Sequence, residues 1–315
     1  MADRKPRIGW IGTGRMGFEM AQRLAQAGCD IHVWNRTCAK AEPLAKDGAK
    51  IVGTLPELAG CDIVFVMVST WNDVKEVVSG PAGMLSKSQP GKGPAPRIVV
   101  ECSSISLEGS AELRQILKPY GTEYVASPVS GNAKVIKAGK LTFVCSGPKK
   151  AYEEVAPLLA QIAPLGGSYV GEGELSRIVK ICHNVMLGVV TQCMAEITVL
   201  AEKAGVPRHA FLEFLNKSVM GSTFTRYKAP AFVNLDFHVT FTPYLLRKDL
   251  DLGLEAGRKF EVPMPLASIT RDLIQSLMGA GLGEEDFSKL LVQQANSSGL
   301  QLKPENVKVG DGLSS

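Results

Sequence analysis

The run RIGWIGTGRMGFEMAQRLAQAGCDIHVWNR, residues 7–36, limits the fold more than any other part of the chain. A short β-rich segment leads into a glycine turn. An amphipathic helix follows from about Arg15 to Ala27, stops at Gly28, and gives way to a second strand at Ile31 to Trp34. This is one βαβ unit. Apolar strands at 61–69 and 97–104, with helical stretches between, repeat the pattern. Strands apolar on both faces and alternating with helices predict a parallel, doubly wound Rossmann-type sheet. SKSQPGKGPAPR (86–97) reads as a flexible surface loop. Strand-like runs at EYVASPVS and KLTFVCSG, a helix near 149–163 and a short strand at SYVG complete a first domain, expected over 1–170.

The alternation then stops. From Leu175 to about Ala204 the pattern is one long helix, apolar nearly all round, followed by helices near 207–219, 223–233, 242–259, 263–280 and 284–295. An all-α second domain is expected over 171–315, with the long helix as its spine. A helix this apolar needs cover on every side, which predicts a homodimer or homotetramer.

Gly12, Gly14 and Gly17 form G-x-G-x-x-G between a strand and a helix, the context in which that motif binds a dinucleotide. The loop Gly12, Thr13, Gly14, Arg15, Met16 and Gly17 is the expected pyrophosphate site, at a helix N-terminus with free amides. The end of the second strand selects the cofactor. An acid there suits the ribose of NAD, but the chain reads Asn35, Arg36, Thr37, which favours the 2′-phosphate of NADP, with NAD also possible.

The net charge of +4 over 315 residues, with no basic run, gives no reason to expect nucleic acid or an anionic membrane as partner. Seven cysteines without a Cys-x-x-Cys pair imply neither a metal site nor a disulfide framework. The N-terminus lacks a signal-peptide core, and no uncharged run is of membrane-spanning length, so a cytoplasmic protein is expected.

Lys180 and Asn184 stand within the long apolar helix, four residues apart and therefore on one face. A lysine there can carry its charge to solvent over an apolar stem and do nothing more. Its company suggests otherwise. With GTGRMG (12–17), SPVSGN (127–132), GEGELSRIVKICHN (171–184) and RKDLDLGLEAG (247–257), the sequence resembles the β-hydroxyacid dehydrogenase family over about residues 7–295. That family includes 3-hydroxyisobutyrate dehydrogenases and the glyoxylate and succinic semialdehyde reductases.

The resemblance implies that Lys180 is the catalytic acid/base and that Asn184 helps place it and the substrate. It implies that Ser130, Gly131 and Asn132 hold a substrate carboxylate. Lys248 would approach substrate and nicotinamide, and Met67, Val68 and Ser104 would touch the cofactor. The expected activity is hydride transfer between NADP(H) and a small carboxylated substrate, a 3-hydroxy acid or semialdehyde acid. A glyoxylate or succinic semialdehyde reductase is a close variant. Imine reductases are more distant, since those relatives usually lack the lysine, and a non-catalytic dinucleotide-binding scaffold is the reading from another class. His183, where many members have asparagine, reads either as a second titrating group or as a hydrogen-bonded core residue.

Overall fold

The computed structural model describes residues 5–313. The chain forms two compact units, one ending at Lys180 and the other beginning at Ile181.

In the first unit, β1 (Arg7–Ile11), α1 (Arg15–Gln26), β2 (Asp30–Trp34), β3 (Lys50–Ile51), β4 (Ile63–Val66), α2 (Trp71–Ser79), β5 (Ile98–Glu101), α3 (Leu107–Leu117) and β6 (Glu123–Ala126) follow in order. The six strands lie in the order β3-β2-β1-β4-β5-β6, and every pairing is parallel. The order reverses between β1 and β4, where doubly wound sheets bind ligands beyond their carboxyl ends.

Alternate residues of the strands feed two cores. Ile8, Trp10, Val33, Phe65 and Val100 pack with Met20 and Leu24 of α1, and Ile11, Val64, Val66 and Val99 pack with Val74 of α2 and Leu113 of α3. Each buried aliphatic side chain contributes about 1.5–3 kcal/mol, so both faces of the sheet must be covered.

The central strands are shorter than expected. β4 stops at Val66 and β5 at Glu101, and the residues beyond them turn into loops at the crest of the sheet. The run EYVASPVS is also divided. After β6, Pro128 lacks a donor for the ladder, and β7 (Val129–Ser130) joins a separate three-stranded sheet with β8 (Thr142–Cys145) and β9 (Gly167–Tyr169). The short helix α4 (Ala133–Lys137) and α5 (Lys149–Ile162) lie between these strands in the chain.

Helix α6 runs from Leu175 to Lys203, and the division between units falls inside it. Its length and a mean hydropathy of 1.5 over 18 residues would suit a membrane span, but half of that stretch is buried in the chain. Ile181, Val185, Met194 and Val199 are buried, whereas Val179, Met186 and Leu200 are exposed.

The second unit continues with α7 (Arg208–Lys217), α8 (Thr223–Asn234), α9 (Pro243–Lys259), α10 (Pro265–Gly279) and α11 (Leu290–Ser297). The helix expected at 284–295 is a 3-10 turn, Phe287–Lys289, running into α11. α9 approaches α6 closely at Gly253, where a Cβ would stand 2.3 Å from Val185. The C-terminal tail is tied down by the buried Arg208, which donates to the carbonyls of Phe232, Val233 and Lys303.

Candidate active site

The glycine loop joins β1 to α1. Gly12 has φ +99, and a Cβ there would lie 2.2 Å from the carbonyl oxygen of Met67. A Cβ on Gly17 would lie equally close to the carbonyl oxygen of Gly12, so glycine there lets α1 pack directly on β1. At Gly14 nothing lies within 4 Å of where a Cβ would be, so the loop presents bare backbone to open space. The hydroxyl of Thr13 is buried and has no hydrogen-bond partner within the protein. An open backbone cradle beside an orphaned buried hydroxyl, at the N-terminus of α1, fits a dinucleotide pyrophosphate. Arg15 is exposed and Met16 half-buried beside it.

At the end of β2 the three selector residues separate. Asn35 accepts from the Thr13 amide at 2.9 Å and donates to the Thr37 carbonyl at 2.8 Å, so it braces the glycine loop. Arg36 is exposed, 3.8 Å from the Asp73 carboxylate near the start of α2. Thr37 is exposed next to it. Beyond β4, Met67 and Val68 are half-buried, and the Val68 amide donates to the Ser103 hydroxyl at 2.9 Å. Ser104 is half-buried one residue further along the β5 loop.

Ser130 ends β7, and Gly131 follows with φ +140, where a Cβ would meet Val135 at 2.8 Å. Asn132 caps α4, its side-chain oxygen accepting from the Val135 amide at 3.1 Å. The cap consumes that oxygen and leaves the Asn132 amide group to donate. These residues belong to the smaller sheet.

Lys180 is half-buried on α6, and Asn184 lies one turn further along. In the second unit, Asn184, His183 and Lys248 come together with Asp249, the next residue of the Lys-Asp motif. Asn184 donates to the Asp249 carboxylate at 2.5 Å, His183 Nδ1 lies 2.9 Å from the Asn184 oxygen, and Lys248 Nζ is 3.4 Å from the other Asp249 oxygen. Asp249 and Asn184 are both buried. The order Lys-Asp at 248–249 was visible in the sequence; its link to Asn184, 65 residues away, was not.

A second unforeseen cluster holds the start of α6 within the first unit. Arg177 and Glu101 form an ion pair, with side chains 1% and 0% exposed. Tyr124 joins them. Burial, opposed by the Arg177 charge, pushes its phenol up to about 12, so it stays protonated at ordinary pH.

Among the described residues, no cluster of acidic, histidine and cysteine side chains is arranged for a metal ion. The first unit thus offers an open backbone cradle at the N-terminus of α1, a half-buried lysine on α6 and a turn with donors at 130–132.

Comparison with known proteins gives the family. Residues 7–179 match the family described as the NAD binding domain of 6-phosphogluconate dehydrogenase, and residues 174–293 that described as NAD-binding of NADP-dependent 3-hydroxyisobutyrate dehydrogenase. Glyoxylate/succinic semialdehyde reductase 2 of Arabidopsis thaliana, a chloroplastic protein, is 30% identical over 285 residues, 90% of this chain and 78% of that one. The 2-(hydroxymethyl)glutarate dehydrogenase of Eubacterium barkeri is 30% identical over 291 residues, 92% of this chain and 95% of that one. A crystal structure of 3-hydroxyisobutyrate dehydrogenase from Salmonella typhimurium superposes with a TM-score of 0.80 at 25% identity, covering 91% of this chain and 99% of that one. The chain therefore belongs to the β-hydroxyacid dehydrogenases, the NAD(P)-dependent oxidoreductases of small hydroxy acids.

Proposed function

We propose that this protein is an NADP-dependent reductase of a small carboxylated aldehyde, or equally the dehydrogenase of the corresponding hydroxy acid, with Lys180 as acid/base. The observation that carries the reading is the placement of a half-buried Lys180 one turn before Asn184 on α6, where Asp249 fixes the Asn184 amide. The bound nicotinamide supplies or takes up the hydride. Lys180, as an ammonium, gives its proton to the carbonyl oxygen as the carbon is reduced, and recovers one from solvent; in the reverse direction the amine takes the hydroxyl proton. Asn184 orients the reacting oxygen. Ser130, the Gly131 backbone and the Asn132 amide group hold the carboxylate, and Lys248 adds a positive charge.

NADP is favoured by Arg36 and Thr37 with no acid at the end of β2. Relatives named for glyoxylate, succinic semialdehyde and 2-(hydroxymethyl)glutarate all handle carboxylated substrates of this size, which supports the substrate class. The exposed Val179, Met186 and Leu200 on α6 support a homodimer or homotetramer. All seven cysteines are free thiols, in keeping with a cytoplasmic setting.

The test is a panel of glyoxylate, succinic semialdehyde and the 3-hydroxy acids, each with NADP(H) and NAD(H), for wild type and Lys180→Ala. The expected result is turnover of at least one carboxylated substrate, lowered by about 10² to 10⁴ in kcat in the variant, with cofactor affinity little changed. Near-normal turnover by Lys180→Ala would return Lys180 to the role of a solvated surface lysine.

A further inference from the structure

Glu101 is the last residue of β5 and Arg177 the third of α6, and together they form an ion pair removed from water. Two charges taken out of water recover their desolvation cost only through tight geometry, and an apolar pair of similar volume is often as stable. Stability alone is therefore a poor reason for the pair. Its geometry is specific. The guanidinium donates to the Ser110 hydroxyl at 3.2 Å, the Ser103 carbonyl at 2.6 Å, the Tyr124 hydroxyl at 2.8 Å and the Glu101 carboxylate.

The second carboxylate oxygen of Glu101 accepts from the Ser103 amide at 2.6 Å, and the Ser103 hydroxyl accepts from the Val68 amide at 2.9 Å. A continuous chain of hydrogen bonds thus runs from α6 through the loop after β5 to the loop after β4. Both loops carry candidate cofactor contacts, Ser104 and Val68. Next to Arg177, Ser176 donates to the Ala126 carbonyl at 3.1 Å and pairs with the Ser146 hydroxyl at 2.8 Å. The first turn of α6 is therefore fixed to the ends of β5 and β6 and to the residue after β8. Lys180 stands three residues after Arg177 and four after Ser176, on the face these anchors define.

We propose that Arg177, paired with Glu101, is a positioning residue for catalysis: it sets the register of Lys180 against the cofactor-bearing loops after β4 and β5, through Ser103. This rests on the reading of Lys180 as acid/base. A rigid planar fork with five donors suits such a role better than a lysine would. Proton and hydride transfers tolerate little displacement, and a shift of about 1 Å from a remote change can lower a rate 10²-fold.

The test compares wild type with the double variant Glu101→Gln/Arg177→Met, which leaves no buried charge of the pair, with Arg177→Lys, and with Lys180→Ala. The probes are NADPH and 4-deuterated NADPH with glyoxylate or succinic semialdehyde, whichever turns over faster. The double variant is expected to fold and to lose no more than about fivefold in NADPH affinity as the two loops loosen, while kcat falls about 10- to 100-fold. The deuterium isotope effect on kcat should rise as the chemical step becomes limiting, and Arg177→Lys should lie between. In the cofactor-free protein, amide hydrogen exchange should quicken in segments 67–69, 101–105 and 174–182. Unchanged kcat and isotope effect in the double variant would overturn the proposal. So would a fall in kcat with an unchanged isotope effect, which reports only a smaller active fraction. If the double variant does not fold, Arg177→Lys decides by the same readings. Loss of activity in Lys180→Ala beside normal Arg177 variants would sink this inference alone, whereas an active Lys180→Ala would sink the reading beneath it as well.

Discussion

The side-chain amide of Asn184 donates to the Asp249 carboxylate at 2.5 Å, with both groups buried. This contact settles which end of the Asn184 amide points where, because its oxygen could not face a carboxylate. The oxygen therefore accepts from His183, 2.9 Å away, and the His183 ring carries its proton on Nδ1. Asp249→Asn is expected to let the amide turn over and lose its fixed orientation. We expect kcat to fall about tenfold and stability by about 1–3 kcal/mol, the range for a disturbed buried hydrogen bond. Steady-state kinetics and urea unfolding read the two separately. Unchanged kcat would show that the orientation of Asn184 does not matter.

Arg36 is exposed and faces Asp73 at 3.8 Å, a loose pair of little energetic value in water. It is thus available to a phosphate without a large cost of release. A charge-assisted hydrogen bond contributes about 1.5–3 kcal/mol, so Arg36→Ala should lower kcat/KM for NADPH by about tenfold or more while that for NADH changes little. Equal losses with both cofactors, or a wild-type preference for NADH, would remove the argument for NADP.

The sheet, its glycine loop and the helical second half were legible because each is written in local order: apolar runs of strand length, G-x-G-x-x-G at a strand-helix junction, and helical periodicity from residue 175 onward. Strand ends were less so, since Met67 and Val68 are as apolar as the strand residues before them and only the ladder shows where pairing stops. The pairs around the candidate lysine were not legible. Glu101 and Arg177 are 76 residues apart, and local order holds nothing that joins a charge in one apolar strand to a charge in an apolar helix. Asn132 likewise gave no sign that its oxygen would cap α4.

That cap bears on the substrate. With its oxygen held by the Val135 amide, Asn132 presents donors only, beside Ser130 and the backbone of Gly131. Such a turn suits an anion. Carboxylated substrates should therefore exceed their methyl esters or amides clearly in kcat/KM, and Ser130→Ala should narrow the gap. Equal turnover of neutral analogues would favour an uncharged carbonyl or imine as substrate.

The buried pair Lys228–Asp286 in the second unit makes stability depend on acid. Lys228 Nζ lies 2.7 Å from one Asp286 oxygen, and the other accepts from the Thr240 amide and hydroxyl, each at 2.8 Å. Burial pushes the Asp286 carboxyl up, but the Lys228 charge and these hydrogen bonds outweigh it and hold the group below its ordinary value. A depressed carboxyl contributes stability that is present above the unfolded value, about 3.9, and is lost as pH falls through the folded value. Wild type should therefore weaken from about pH 4 downward. Asp286→Asn should be less stable at pH 7 by about 3–5 kcal/mol, because it leaves the Lys228 charge buried without a counter-charge. Lys228→Met/Asp286→Asn should recover much of that loss and show a shallower decline in acid. Other depressed carboxyls, such as Glu305 against Arg208 and His209, add to the slope of every variant alike, so the difference from wild type isolates this pair. Urea unfolding at pH 7, 5 and 3.5 measures it; parallel pH curves for wild type and the double variant would show that Asp286 does not carry the dependence.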